Sequence, residues 1–338
     1  MENIVVITGG GTGGHLKVAK AFENELNKRE IKSMFIGSIN TQDKQWFNIE
    51  NGYNIFLNTT GVVNKRLIGK IRSLFNIIKS SLYCLYIFRK FNIKQVISVG
   101  GFSAAPACIA AILTYKCKLY IHEQNSKMGS LNQLTYKFSK ELFSSYNSSS
   151  IVKDYPVDKI FFDKCRIRSS IKTVIFLGGS QGAVFINDFA LNIAKDLNSM
   201  NIKIIHQTGK KDFKRVEDFY KSNSIDVDVF DFDINLIYKI QKSDFAVSRS
   251  GASTLWELTA NALPALYIPY SYAFKDHQFY NANYLFKKGL CFLKRESQLK
   301  PFDLFECLNQ NISLMSKNLK NSIKENSIEK IVDVIVKT

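Results

Sequence analysis

Between Asn51 and His122 the chain has no aspartate or glutamate, yet ten basic residues fall there: Lys65, Arg66, Lys70, Arg72, Lys79, Arg89, Lys90, Lys94, Lys116 and Lys118. Abundant Lys, Asn, Ile and Phe, as a low-GC coding sequence gives, account for part of the net charge of +17. They account less well for an acid-free stretch, which reads as a surface for polyanions or anionic lipid. Paired cysteines are missing too. Cys84, Cys108, Cys117, Cys165, Cys291 and Cys307 include no CxxC spacing, which argues against structural zinc and for a reducing compartment. No apolar run approaches the roughly 20 residues of a membrane span, and the uncharged segment 80–88 stops at Arg89–Lys90. The first residues read as a strand and not as a secretory signal. Histidine is scarce, and no Cys/His spacing suggests a metal.

Two glycine-rich turns stand out against these absences. IVVITGGGTGGH runs from Ile4 to His15 and TVIFLGGSQGA from Thr173 to Ala183. Each passes from a β-branched apolar segment through glycines into a helical pattern, whose first amides and dipole suit an anion. At 338 residues the chain exceeds the usual single domain, so two similar domains facing a shared phosphate-handling cleft are expected.

The remaining pattern agrees. Strands fit at 4–8, 33–37, 53–57, 95–99, 118–122 and 141–145, and helices at 14–29, 41–49, 66–90, 104–114 and 130–139. A second series follows, with strands at 173–177, 202–206, 226–231, 244–248, 264–268 and 290–293. Its helices fit at 182–197, 210–222, 234–241, 252–261, 276–287 and 302–315. Such alternation predicts an α/β protein with parallel, doubly wound sheets. The boundary falls between Ser144 and Pro156, and 318–337 looks helical. In the 66–90 helix, Leu67, Ile71, Leu74, Phe75, Ile78, Leu82, Leu85 and Tyr86 form a stripe fit for burial. Ile68, Ile77, Tyr83, Ile87 and Phe88 lie off it among basic residues. The helix is therefore either a buried crossover or a partly exposed patch for an anionic bilayer surface.

Each candidate site has a plainer reading beside it. Gly9-x-Gly11-x-x-Gly14 is formally the dinucleotide fingerprint, but the second strand ends in Phe35–Ile36–Gly37–Ser38 with no carboxylate for a ribose. That argues against a nicotinamide or flavin enzyme. His15, His122, His206 and His277 all fall in expected loops. Singly each is an ordinary structural residue; together they suggest function, and His15 and His122–Glu123–Gln124–Asn125 converge at strand ends. Gly178 to Gly182 and Arg249 to Thr254 read as two amide nests. Glu257, one turn further on, is either a ribose ligand or a carboxylate favoured by its own helix start. Asp226, Asp228, Asp231 and Asp233 offer DxD patterns for a cation, although alternation with Val and Phe fits a strand with its acids in water.

In order and over nearly the whole chain, these segments resemble the MurG family, bacterial N-acetylglucosaminyltransferases that form lipid II. The shared runs are GGGTGGH at 9–15, VGGFSAAP at 99–106, HEQN at 122–125, YPV at 155–157, and GGSQGA at 178–183 with Asn187. HQTG at 206–209, SRSGAST at 248–254 with Glu257, LPALYIPY at 263–270, and DHQ at 276–278 with Asn281–Ala282 complete the set. The resemblance implies a GT-B fold of two Rossmann-like domains facing a cleft. Residues 1–158 would serve the acceptor and membrane, 159–317 would bind UDP-GlcNAc, and 318–338 would return as a helix to the N-terminal domain. It implies metal-independent, inverting transfer of GlcNAc from UDP to the 4-hydroxyl of the muramyl sugar of lipid I, with no cofactor. His15 is the leading base by this resemblance and Glu123 the second. Donor contacts would be Thr12, Gly13, Gly14, Asn125, Ser180, Ala252, Ser253, Thr254, Leu255, Glu257 and Gln278. Gly100, Gly101, Phe102 and His122 would hold the acceptor. Lys65, Arg66, Lys70, Arg72, Arg89 and Lys90 would face the anionic inner leaflet, placing the protein peripherally on the cytoplasmic side; no nucleic acid is implied.

Three departures accompany it. His15 leads into Leu16–Lys17–Val18–Ala19 where many relatives have a longer H-x-x-P segment, Phe102 stands where a Tyr is common, and Asp158 stands where the family usually has an Arg to neutralise donor phosphate. Rival readings are another UDP-sugar enzyme, a 2-epimerase or glycolipid synthase, which shares the SGAST…Glu257 part, and a non-catalytic nucleotide-binding protein of membrane surfaces, which leaves His15 and Glu123 without a task.

Overall fold

The computed structural model describes residues 4–47, 53–62, 66–179 and 182–337. The chain forms two compact units, Met1–Pro156 with Asn326–Thr338, and Val157–Glu325. The first unit runs β1 (Ile4–Thr8), α1 (Gly13–Lys28), β2 (Lys32–Ser38), α2 (Asp43–Trp46), β3 (Ile55–Leu57) and α3 (Leu67–Lys90). It continues through β4 (Gln95–Ser98), α4 (Ala105–Leu113), β5 (Lys118–Glu123), α5 (Ser130–Thr135) and β6 (Glu141–Ser144). The second unit holds α6 (Lys159–Asp163), β7 (Thr173–Leu177), α7 (Val184–Ser199), β8 (Lys203–Gln207), α8 (Phe213–Ser222), β9 (Val227–Phe230) and α9 (Leu236–Lys242). After these come β10 (Phe245–Ser248), α10 (Ala252–Ala260), β11 (Ala265–Tyr267), α11 (His277–Phe286), β12 (Phe292–Leu293), α12 (Pro301–Leu308) and α13 (Ile312–Ser322). The last helix is α14 (Ser327–Lys337).

Both sheets are parallel, in the orders β3-β2-β1-β4-β5-β6 and β12-β11-β10-β7-β8-β9. Counted from its own first strand, the second order repeats the first. The order reverses between β1 and β4 in one unit and between β7 and β10 in the other, and ligands of such sheets bind at those carboxyl ends. The strands read as continuous apolar runs because helices cover both faces. Val6, Ile36, Val96 and Ile121 pack with Phe88, Ala107 and Ala110 in one core. Val174, Phe176, Ile204 and Val247 pack with Ile193, Leu197 and Leu304 in the other.

Several expected elements differ. Residues 302–315 form two helices, because the Asn311 side chain accepts Ser313 N–H at 3.0 Å and starts α13 afresh. The return to the first unit begins near Asn326 and not at 318. There Ile331, Val332 and Ile335 of α14 are buried, Arg29 donates to Asp333 Oδ1 at 2.5 Å, and Gln95 Nε2 donates to the Ile335 carbonyl at 2.5 Å. Only Asp43–Trp46 of the expected 41–49 helix is helical among the described residues.

The burial stripe expected on α3 is largely inverted, with only Leu85 of it packed against the core. Leu67, Ile71, Leu74, Phe75, Ile78, Leu82 and Tyr86 are each more than half exposed. The buried face is Ser73, Ile77, Ser80, Ser81, Cys84, Ile87 and Phe88. The cause is the partner: α3 packs along α4, whose Ala107, Cys108, Ala110 and Ala111 are buried. Small residues on both helices shorten the interaxial distance that side chains set, so the bulky stripe is left facing out. Among the described residues no helix is long and apolar enough to cross a membrane.

Candidate functional site

In the first unit the turns after β1 and β4 are locked together through bare backbone. Gly10 N–H donates to the Gly100 carbonyl at 3.2 Å. A Cβ on Gly9 would lie 2.4 Å from Gly100 O, and one on Gly101 would lie 2.4 Å from Gly10 O. Gly101 also has φ +83, a left-handed conformation that disfavours side chains. Phe102 lies beside this lock, with its ring 3.4 Å from a Cβ built on Gly11.

The missing carboxylate is present, but it comes from elsewhere in the chain. Asp43, fully buried at the start of α2, accepts Gly11 N–H through Oδ1 at 3.0 Å and Ser38 N–H through Oδ2 at 2.8 Å. It therefore holds the turn's own amides. Sequence reasoning missed it; the available signal was an acid in the first turn of the helix following β2.

Thr12 caps α1, and His15 stands in the first helical turn. Thr12 Oγ1 lies 2.6 Å from His15 Nδ1. The other ring nitrogen faces Gly100, where a Cβ would approach Nε2 to 3.3 Å. The imidazole is thus oriented by a hydroxyl on one side and admitted by a glycine on the other.

The HEQN run behaves differently from expectation. His122 is 1% exposed, edge-on to the rings of Phe22 and Tyr155. Burial, with a smaller effect of the His15 charge, pushes its pKa down to about 3. It is therefore a neutral residue packed in the core, with little surface left for the acceptor contact expected above. Glu123 is also buried. Its carboxylate accepts Asn125 N–H at 2.9 Å, Gly129 N–H at 2.9 Å and Asn132 Nδ2–H at 2.8 Å. Three donors make it the organiser of the loop 123–129. Asn125 is half-buried at the end of β5.

In the second unit Gly179 and Gly182 have φ +78 and +75, and a Cβ on Gly182 would lie 2.6 Å from Thr208 O. Ser180 lies outside the described residues, as does Lys65. Asn187 ties this turn to its neighbours, donating to Thr208 O at 3.0 Å and to Asp212 Oδ2 at 2.6 Å. His206, buried against Asn187 Oδ1 and the Tyr220 hydroxyl, is pushed by burial to a pKa of about 3. His122 and His206 thus stand within strands, while His15 and His277 open helices.

Gly251 leads into α10, with Ser253 and Thr254 half-buried at its start and Glu257 buried one turn on. Leu255, expected among the donor contacts, has a fully buried side chain, and its N–H donates to Gly251 O at 3.0 Å. Ser250 Oγ donates to the Gln278 carbonyl at 2.8 Å and Asn281 Nδ2 to the Ser250 carbonyl at 3.2 Å, which brings α11 against this turn. Gln278 Oε1 accepts Tyr270 N–H at 3.0 Å. Arg249 donates to the Ile268 and Pro269 carbonyls and pairs with Glu296. Asp158 accepts Ile160 N–H at 3.1 Å and caps α6, a structural task for the residue that replaces the family's arginine. Of the DxD acids, Asp228 pairs with Lys239, and Asp231 and Asp233 each accept a nearby backbone N–H.

Two doubly wound units of one strand order, with glycine turns at both reversal points, define a glycosyltransferase of the GT-B class. The chain matches the glycosyltransferase family 28 N-terminal domain over residues 5–144 and the family 28 C-terminal domain over 173–337. It is 46% identical over 334 residues to a Wolinella succinogenes protein named UDP-N-acetylglucosamine--N-acetylmuramyl-(pentapeptide) pyrophosphoryl-undecaprenol N-acetylglucosamine transferase, covering 98% of this chain and 99% of the relative. A Campylobacter fetus protein of the same name is 45% identical, covering 99% and 100%. In fold the chain resembles Acinetobacter baumannii MurG, with a TM-score of 0.82 at 22% identity over 99% of this chain and 100% of that one. It also resembles the glycosyltransferase SnogD of Streptomyces nogalater, with a TM-score of 0.70 at 11% identity over the full length of both. The chain belongs to glycosyltransferase family 28 and, within it, to the MurG family.

Proposed function

We propose that this enzyme transfers N-acetylglucosamine from UDP-N-acetylglucosamine to the 4-hydroxyl of the muramyl sugar of lipid I, making lipid II for peptidoglycan. The observation that carries the reading is full-length likeness to relatives named for this substrate pair, with the shared glycine runs at both sheet reversal points. His15 serves as base: with its Nδ1 proton on Thr12 Oγ1, Nε2 keeps a lone pair for the acceptor hydroxyl's proton. The oxygen then attacks C1 of the donor sugar from the face opposite UDP, the C1–O bond to diphosphate breaks, and the anomeric centre inverts. Amides of Ala252 and Ser253 and the hydroxyls of Ser253 and Thr254 receive the charge that develops on the diphosphate, without a metal. Glu257 holds ribose hydroxyls. Thr12, Gly13, Gly14, Asn125, Ser180 and Gln278 complete the donor set. Gly100, Gly101 and Phe102 take the acceptor diphosphate, and Glu123 positions the loop bearing Asn125.

The outward stripe of α3 supports peripheral docking on the anionic cytoplasmic leaflet. Arg66, Lys70, Arg72, Arg89 and Lys90 are exposed around it at headgroup reach. Replacing Ile71 and Phe75 together by Asp lowers binding to anionic vesicles more than about tenfold; unchanged binding refutes this face. For the reaction, UDP release is followed with UDP-GlcNAc, a short-chain lipid I analogue and EDTA. Acceptor-dependent release is expected. Turnover of UDP-GlcNAc without acceptor favours the epimerase reading.

A further inference from the structure

The first unit carries a recess whose lining the steps above use only through Asn125 and Glu123. A cavity of about 270 Å³ opens at the carboxyl ends of β5 and β6. Asn125, Ser126, Tyr146 and Ser148 give it polar walls, and Met128 and Leu142 give it an apolar side. No lysine or arginine lines it. Its single charged residue, Glu123, already accepts the three N–H donors described above. Such a lining suits neither a phosphate, which needs cations or an amide nest, nor a cation.

The wall is also built in advance. In the segment after β6, Ser144 N–H donates to Ser150 Oγ at 3.1 Å and Ser149 N–H to Asn147 Oδ1 at 3.0 Å. Ser150 Oγ donates in turn to the Val152 carbonyl at 2.5 Å. Opposite, Glu123 fixes 125–129. Pockets for whole small ligands start at roughly 300 Å³, so this recess holds one group of a ligand and not a nucleotide-sugar. Neutral donors and acceptors beside two apolar side chains match a group that has an N–H, a carbonyl and a short hydrocarbon part.

We infer that this recess takes a secondary amide of the acceptor and so helps the enzyme select it, an inference that rests on the transfer reading above. The acceptor offers that chemistry in two places, the acetamido group of the muramyl sugar and the amides of its peptide. Leu142→Phe narrows the recess, and Ser148→Ala removes one exposed hydroxyl with little risk to folding, which melting curves verify. Steady-state kinetics use the full lipid I analogue, one without peptide, and one with a free amine in place of the acetamido group.

With the full acceptor, Leu142→Phe raises acceptor KM about tenfold and Ser148→Ala about fivefold, while kcat and the KM for UDP-GlcNAc stay as they are. One truncated acceptor shows the same KM with variant and parent enzyme, and the group it lacks is the one recognised. Unchanged acceptor KM in both variants, a shift in donor KM instead, or equal sensitivity of both truncated acceptors overturns the inference. Absence of any transfer by the parent enzyme overturns the transfer reading itself and is told apart by the first assay.

Discussion

Where β1 parts from β4 and where β7 parts from β10, one topology has been furnished in two ways. In the first unit, Gly9, Gly10, Gly100 and Gly101 press backbone on backbone, and Asp43 turns its charge inward onto the turn. In the second, Gly182 also presses on backbone, where a Cβ would lie 2.6 Å from Thr208 O. A Cβ on Gly179 or Gly251, however, would meet nothing within 4 Å, and α10 begins beside Gly251 with its first amides. The first turn packs glycine on glycine beside the imidazole; the second leaves open space at Gly179 and Gly251 for a ligand's bulk. A fold that is repeated need not repeat its chemistry, and here the difference lies in what surrounds each glycine.

Alanine at a glycine breaks that comparison most directly. Gly101→Ala combines a positive φ with a backbone clash and should cost about 3 kcal/mol, with turnover down about a hundredfold as the His15 setting shifts. Gly179→Ala, strained in φ alone, should cost about 1 kcal/mol. Denaturant melts and initial rates compare the two; equal costs would erase the distinction.

Acid sharpens it next. His122 and His206, one in each unit, have folded pKa values pushed from 6.5 to about 3 by burial. The unfolded chain takes up protons below pH 6.5 that the folded chain refuses. Stability is therefore full above that value and falls as pH drops toward 3, by about 2 kcal/mol per histidine at about pH 5. His122→Phe should remove the first unit's share, while His206→Phe should destabilise at every pH by orphaning Tyr220 and Asn187. Thermal melts between pH 7 and about 4 read both. A similarly small effect belongs to Asp158→Ala, which loses a helix cap worth about 1 kcal/mol and leaves the KM for UDP-GlcNAc unchanged.

Much of this was legible in the sequence. Alternating apolar runs and helical patterns carried the parallel sheets, and the glycine runs marked both reversal points. Periodicity on α3 announced an apolar face but not which neighbour it would meet; the alanines and cysteine of α4 decided that the serine side goes in. Asp43 was hidden because it acts on Gly11 across 32 residues of chain. His122 sits inside a matching motif and Leu255 directly after one, yet both are buried. A motif match takes in residues that build a turn along with those that touch a ligand, and burial helps tell them apart.

The division of labour between the two turns is tested most directly by two single variants in one UDP-release assay. His15→Ala should lower kcat about a hundredfold or more with the KM for UDP-GlcNAc nearly unchanged. Glu257→Ala should raise that KM about tenfold or more through lost ribose contacts. If both variants kept the parent kinetics, or if the two effects were exchanged, the assignment of proton transfer to the first unit and nucleotide binding to the second would be wrong.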